Sequence, residues 1–230
     1  VAPESAIQAA FGMSATAFDR ALQREVQKER LDSVVVRPSA FAPGDPSPLA
    51  IEEVMVGLGE LSLALRKGEQ AGEWFEKALM RDHRSSRANA GLGVAKALVG
   101  DWSRATEQAG VAVSLDAKDP RNQLDAAIVA LARARDSKPL AAREELVETA
   151  RGHCASASQL DARLPEAYAT YGASYLVPGQ DPEKAQESLD YARQLLPASQ
   201  EVVLLLARMQ ARLGHSTQAR ELVVSVLSRS

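Results

Sequence analysis

The chain has 230 residues, of which 46% are hydrophobic and 4% aromatic, and a formal net charge of -3 at pH 7. Its charges alternate in sign along the sequence, which excludes the continuous basic face of a nucleic-acid-binding protein. No stretch of 18 apolar residues occurs, so the sequence predicts no membrane span. The one cysteine, Cys154, excludes an internal disulfide, and we expect it to pack as a small buried hydrophobe.

Residues 1–40 predict a separate N-terminal helical segment. Ser14 is a suitable N-cap for a helix that runs to about Leu31, and a helix in this frame places its apolar residues on one face: Ala15, Phe18, Leu22 and Val26. The β-branched run from Ser33 to Pro38 is typical of a short strand, which needs a partner strand to be stable. We interpret residues 1–40 as the remnant of an upstream domain.

Residues 41–49, FAPGDPSPL, contain three prolines and one glycine and predict an extended linker. A domain boundary is therefore expected there, with a repeat domain over 50–230. The chain begins with Val and not Met, so we expect a partial or processed chain whose native N-terminus lies outside it. Its composition, rich in Ala and Arg, is typical of a bacterial protein, and its localisation stays open between cytoplasm and periplasm.

Residues 50–230 show apolar periodicity that predicts ten helices in five pairs. The expected pairs are 50–66 with 69–83, 86–99 with 102–116, 120–135 with 139–161, 165–177 with 182–196, and 200–213 with 216–228. Short turns separate the two members of each pair, which predicts antiparallel packing.

Small residues recur at fixed spacings in these pairs. Gly59, Ala71 and Ala78 are separated by 12 and 7 residues, and the same triplet recurs 34 residues later. Small side chains are needed where two helices cross at short distance. The complete set of expected small-residue positions is Gly59, Ala71, Ala78, Gly93, Ala105, Ala112, Ala127, Ala150, Ala157, Gly172, Ala185, Ala192, Ala207 and Ala219.

The third copy of the pattern is stretched. Its spacing from Ala127 to Ala150 is 23 residues, eleven more than the usual 12. Eleven residues are close to three helical turns, so the insertion should lengthen the two helices without rotating their apolar face.

This pattern resembles the tetratricopeptide repeat, a 34-residue helix-turn-helix unit. The aromatic residues and glycine at Tyr168, Tyr171, Gly172 and Tyr175 match the signature of its first helix. The resemblance covers about residues 50–230 and implies an all-α fold, a right-handed superhelix of about five helix pairs. The segment FGMSATAFDRALQREVQKERLDSVVV also resembles the tail of gluzincin peptidase domains that precede such repeats in some bacterial proteins, but it has no His-Glu-x-x-His motif.

Catalytic residue patterns are missing from the sequence. The three histidines, His83, His153 and His215, have no companion metal ligands at a suitable spacing, and no phosphate-binding loop or nucleophile arrangement occurs. We therefore expect no enzymatic activity, no metal and no cofactor for this chain.

The resemblance to tetratricopeptide proteins implies that the first helix of each pair lines a concave face. Projection from the family pattern places an apolar floor and a charged rim on this face, and the partner-binding residues expected from it are Val94, Ala97, Leu124, Ile128, Leu131, Arg87, Arg121, Arg208 and Arg212. Such a surface predicts a protein scaffold that binds a peptide or a partner helix. Two alternatives stay open: the accessory C-terminal region of a larger peptidase-like protein, and a self-associating module such as a homodimer.

Overall fold

The computed structural model describes residues 50–227, together with Ser14 and Ala17. The chain divides into two compact units, Val1–Ser47 and Pro48–Ser230, and all helices described below belong to the second. The hydroxyl of Ser14 accepts a hydrogen bond from the backbone N–H of Ala17 at 3.3 Å, as an N-cap does. The rest of the predicted N-terminal helix, the strand and the linker lie outside the described residues, so the predicted domain boundaries stay a prediction.

Residues 50–227 form ten α-helices in five successive pairs, as the periodicity predicts. The helices are α1 Ile51–Ala64, α2 Gly68–Arg81, α3 Ser86–Leu98, α4 Trp102–Leu115, α5 Pro120–Asp136, α6 Leu140–Leu160, α7 Pro165–Ser174, α8 Gln186–Leu195, α9 Gln200–Arg212 and α10 Ser216–Leu227. Each helix packs on its sequence neighbours, and the first helix of one pair also packs on the first helix of the next. Ser85, Asp101 and Ser199 cap helix N-termini through their side chains.

Glycines of the first two first helices, α1 and α3, face the ring of Phe75 in α2. The Phe75 ring of α2 is fully buried, and an added Cβ would lie 2.7 Å from this ring at Gly59 of α1 and 2.3 Å from it at Gly91 of α3. One aromatic ring therefore fills the space that two glycines leave open in successive first helices. All fourteen predicted small-residue positions are buried.

Gly93 of α3 faces backbone. An added Cβ there would lie 3.1 Å from the carbonyl oxygen of Ala105 and 3.1 Å from the amide nitrogen of Ala109, both in α4. Backbone atoms within a helix cannot move aside as a flexible side chain can. Glycine, whose side chain is a single hydrogen atom, is therefore the residue that this crossing accommodates best.

The eleven-residue insertion of the third pair lies entirely in its helices. Helix α5 is four residues longer than α3, and α6 is seven residues longer than α4, while the turn between them stays at three residues. At the end of the longer α5, Asp136 accepts a hydrogen bond from the indole N–H of Trp102 at 2.9 Å. The apolar face is not rotated, because Ala127, Ala150 and Ala157 are all fully buried.

The turn inside a pair uses positive φ at one position. Gly100 and Gly214 both have φ of 82°, which costs glycine little. In the first pair Arg66 occupies the position equivalent to Gly100, 34 residues earlier, with φ of 57°. A side chain in this left-handed conformation costs about 1–2 kcal/mol.

The fourth pair departs from the predicted boundaries. Helix α7 ends at Ser174 and not at 177, and a 3₁₀ turn over Pro182–Ala185 precedes α8. The intervening loop 175–181 is held by Arg212 of α9, whose guanidinium donates to the carbonyls of Tyr175 at 3.2 Å, Val177 at 3.2 Å and Gln180 at 3.0 Å. The longer α6 covers the other side of this loop, where Val147 packs with the buried Val177.

Replacing Gly93 by Leu should destabilise the protein by about 1–3 kcal/mol or more, because the new side chain meets α4 backbone. The matched control is Gly57→Ala in α1, where no atom lies within 4 Å of the added Cβ; this change should stabilise by about 0.5–1 kcal/mol. Urea denaturation followed by circular dichroism measures both. Equal stability of Gly93→Leu and the parent would contradict the crossing geometry.

Replacing Arg212 by Ala should lower the free energy of unfolding by about 1–3 kcal/mol, because three loop carbonyls lose a charged donor. Hydrogen exchange should also accelerate in residues 175–181. Arg193→Ala, a change at an exposed residue of α8, is the control and should stay within about 0.5 kcal/mol of the parent. Unchanged exchange in the loop of Arg212→Ala would show that Arg212 does not hold it.

Candidate functional site

The candidate partner-binding surface lies on the first helices α1, α3, α5, α7 and α9, and we call it the inner face. At its N-terminal end, the guanidinium of Arg87 in α3 binds both carboxylate oxygens of Glu60 in α1 at 2.7 and 2.8 Å. Both side chains are exposed, so this ion pair adds little to stability. It fixes the orientation of an arginine on the inner face.

Asp125 of α5 adds a carboxyl group to this charged cluster. Desolvation raises the pKa of Asp125 to about 7, with a further rise from the neighbouring Glu60 carboxylate. Arg121 and Arg87 oppose this shift and Asp119 adds to it. The cluster therefore joins charged residues of three successive first helices and contains one carboxyl that changes charge near neutral pH.

The expected apolar floor needs correction. Leu124 and Leu131 are only 5% and 3% exposed, and Ala97 is 7% exposed, so all three belong to the core. Leu124 packs with residues of α6 and α7, and Leu131 packs with Val147 of the lengthened α6. Their burial follows from the close packing of α5 against these neighbours, which leaves no room for a partner at these positions.

Two of the predicted apolar residues keep part of their surface. Val94 and Ile128 are half-buried, and each also packs against a core cluster beneath it. At these two positions the inner face therefore exposes only small apolar areas.

The predicted arginines occupy different surroundings. Arg121 and Arg208 are exposed, whereas Arg212 holds loop 175–181 as described above. Near the C-terminal end of the inner face, partial desolvation and the positive charge of Arg208 lower the pKa of Arg135. The Glu201 carboxylate opposes this shift. Arg208 therefore adds positive charge to the surroundings of Arg135 at this end of the inner face.

A second recess lies on the opposite side of α7, between α6 and α8. It has a volume of about 680 Å³ and is lined by Cys154, Ala155, Ser158, Ala167, Tyr168, Tyr171, Lys184, Glu187, Ser188, Asp190, Tyr191 and Gln194. We call it the outer groove. Burial raises the pKa of the Cys154 thiol to about 12, so the thiol is protonated and unreactive at neutral pH.

Metal-binding geometry does not occur within residues 50–227: no group of three or more His, Cys, Asp or Glu side chains there could hold an ion. His83 and His215 are exposed. His153 shares a 2.8 Å hydrogen bond with Gln123 through its Nδ1, and burial lowers its pKa. Among the described helices none is long and apolar enough to cross a bilayer.

Sequence reasoning missed Asp125, Arg135 and the outer groove. Asp125 is the single acidic residue in the apolar run from Leu124 to Leu131, and this isolation was the available signal. Tyr168 and Tyr171 are predicted only as part of the repeat signature, and Tyr191 is not singled out by the sequence, although these three of the four tyrosines of the chain line the outer groove.

Replacing Asp125 by Asn should make stability less dependent on pH. The folded state keeps the Asp125 proton up to about pH 7, whereas the unfolded state releases it near pH 4, so the parent loses stability as pH rises between these values. Asn imitates the protonated carboxyl, so the variant should equal the parent near pH 4 and exceed it by roughly 1–4 kcal/mol at pH 8.

Urea denaturation at pH 4.5, 6 and 8 measures this difference. Glu107→Gln, at an exposed residue of α4, is the control and should show no such trend. A constant difference between Asp125→Asn and the parent at all three pH values would contradict the raised pKa.

Comparisons with known proteins place this fold. No protein-family model matches the sequence, and no curated protein matches it either. The solved structure of TTC0263, a thermophilic tetratricopeptide protein of Thermus thermophilus, is similar with a TM-score of 0.71 at 21% identity, covering 78% of this chain and 91% of that one.

Two further bacterial structures are similar. PilF of Pseudomonas aeruginosa has a TM-score of 0.58 at 21% identity, and the match covers 78% of this chain and 76% of the PilF chain. MamA of Desulfovibrio magneticus RS-1 has a TM-score of 0.53 at 17% identity, covering 77% and 94%. The predicted all-α superhelix is confirmed, and the chain has the tetratricopeptide-repeat fold.

Proposed function

We propose that the chain is a non-catalytic scaffold that binds an extended peptide or a partner helix along its inner face. Stacked helix pairs generate an extended concave surface, and proteins built this way use it for binding. A partner can contact several first helices at once, because the exposed charged residues Arg87, Arg121 and Arg208 lie on three of them.

The observation that carries the proposal is the exposure of these arginines on the inner face, with the positive charge of Arg208 also acting on Arg135. An anionic group of a partner is attracted to this positive charge. At the other end, Glu60 and Asp125 lie with Arg87, so the charge of the inner face changes along its length. A partner whose acidic residue meets Arg135 and Arg208 would bind in one orientation only.

The alternatives drawn from the sequence stay predictions. No observation on residues 50–227 tests a peptidase-like domain upstream or the formation of a homodimer. The inner-face proposal is independent of both.

A peptide library tests the proposal directly. Random 12-residue peptides displayed on phage are selected on the full chain, and selected sequences are synthesised and titrated by fluorescence anisotropy. We expect enrichment of Asp or Glu, and Arg208→Glu should weaken binding about tenfold or more, because attraction at the anionic group becomes repulsion.

Arg193→Glu is the matched control, since it reverses one exposed charge on α8, outside the inner face. It should leave the affinity within about twofold. Peptides that bind Arg208→Glu and the parent equally well would contradict the inner-face site, and circular dichroism establishes that each variant is folded.

A further inference from the structure

The outer groove has aromatic walls. Tyr168 of α7 and Tyr191 of α8 pack edge to face with ring centroids 4.6 Å apart, and Tyr171 makes a similar contact with Tyr175 at 5.6 Å. Tyr168, Tyr171 and Tyr191 all line the groove and keep part of their surface exposed. Aromatic faces open to solvent next to a cavity are suited to hold a flat or cationic group.

The charges of the groove are mainly negative. Glu187 and Asp190 line it with a single cation, Lys184. One oxygen of Asp190 accepts a hydrogen bond from Gln186 at 2.6 Å, which orients this carboxylate. Partial desolvation raises the pKa of Tyr168, with contributions from Tyr191 and from the Asp161 carboxylate, which adds negative charge near this end.

The preceding pair provides an internal comparison. A recess of about 210 Å³ lies between α4 and α6 over α5, and no carboxylate or tyrosine lines it. Equivalent residues in the first helices of the third and fourth pairs are 45 positions apart, as Ala127 and Gly172 are. In the second helices of these pairs they are 35 positions apart, as Ala150 and Ala185 are.

By these offsets the three tyrosines and two carboxylates replace small or uncharged residues of the preceding pair. The replaced residues are Gln123, Ala126, Ser156, Gly152 and Ala155. The third pair therefore folds without aromatic or acidic side chains at these positions. Tyr168 and Tyr171 also match the repeat signature, whereas Tyr191, Glu187 and Asp190 do not belong to it.

We propose that the outer groove binds an arginine side chain of an extended partner peptide. A guanidinium group stacks on an aromatic ring and donates hydrogen bonds to carboxylates in one plane, which the tyrosines with Glu187 and Asp190 allow. A contact of this kind already occurs beside the groove. The guanidinium carbon of Arg151 lies 3.7 Å from the ring centroid of Tyr175, which packs on Tyr171. This site is separate from the inner face and does not depend on the proposed function.

The test uses the full chain with ¹³C-labelled tyrosine rings and two synthetic peptides. The probe is acetyl-Gly-Ser-Gly-Arg-Gly-Ser-amide, and its control carries citrulline, the uncharged isostere, in place of arginine. We expect saturable NMR shifts of Tyr168, Tyr171 and Tyr191, assigned by single Tyr→Phe changes. The citrulline peptide should bind at least about fivefold more weakly, as loss of one cation–π and ion-pair contact predicts.

Variants locate the site. The double change Glu187→Gln with Asp190→Asn should weaken arginine binding about tenfold, whereas Glu183→Gln, at an exposed carboxylate that does not line the groove, should leave it within about twofold. Lys184→Glu adds a carboxylate at the rim and should tighten binding about threefold, so the proposal stays testable if the double variant fails to fold.

Three results would overturn the proposal. The first is the absence of saturable tyrosine shifts at peptide concentrations up to about 10 mM. A dissociation constant above this concentration would be too weak for a specific contact of this kind. The second is equal affinity for the citrulline peptide, which would exclude recognition of the cation. The third is a change of affinity in Arg208→Glu with no effect of the groove variants, which would place the peptide on the inner face.

Discussion

The short distance between crossing helices is the constraint on which the rest of this structure depends. Gly93 brings α3 against the backbone of α4, and Gly59 and Gly91 admit the single buried ring of Phe75 between successive pairs. Because these contacts recur, each pair stacks on the next, and its first helix takes its place on the inner face. The position of every functional side chain discussed above follows from this packing.

The sequence predicted the repeat domain well because small residues and apolar periodicity report directly on helix packing. The ten helices in residues 50–227 and the lengthening of α5 and α6 were all expected from spacing alone. Boundaries failed in α7, where Arg212 and the longer α6 stabilise an irregular loop. Such support comes from residues distant in sequence, and periodicity within one helix contains no information about it.

On the inner face the predicted apolar floor is largely buried, whereas most of the predicted arginines are exposed, and partner binding by these residues stays a prediction. Projection places Leu124 and Leu131 on the correct side of α5, but it does not show which neighbouring helix covers them. The cover comes from α6 and α7, whose lengths differ from those of a regular pair. Long arginine side chains reach beyond such cover, and therefore Arg87, Arg121 and Arg208 stay exposed as projected.

The inner face and the outer groove lie on opposite sides of α7 and differ in chemistry. The inner face exposes arginines, among them Arg208, whereas the outer groove combines tyrosines with an excess of carboxylates. A partner segment suited to one surface is therefore poorly suited to the other. If both proposed sites bind as argued above, an acidic and a basic segment are expected to occupy these two surfaces without competing.

Arg66 has a consequence for the order in which the solenoid opens. In a stacked array each pair is stabilised only by its neighbours, so among the five described pairs we expect the first, with its strained turn, to open most easily. In the α1–α2 turn Arg66 occupies the positive-φ position that glycine occupies in the second and fifth pairs, as Gly100 and Gly214. Separation of α1 from α2 would expose Phe75 while the pairs from α3 onward stay folded. Within residues 50–227 the α1–α2 turn is therefore the expected starting point for local unfolding.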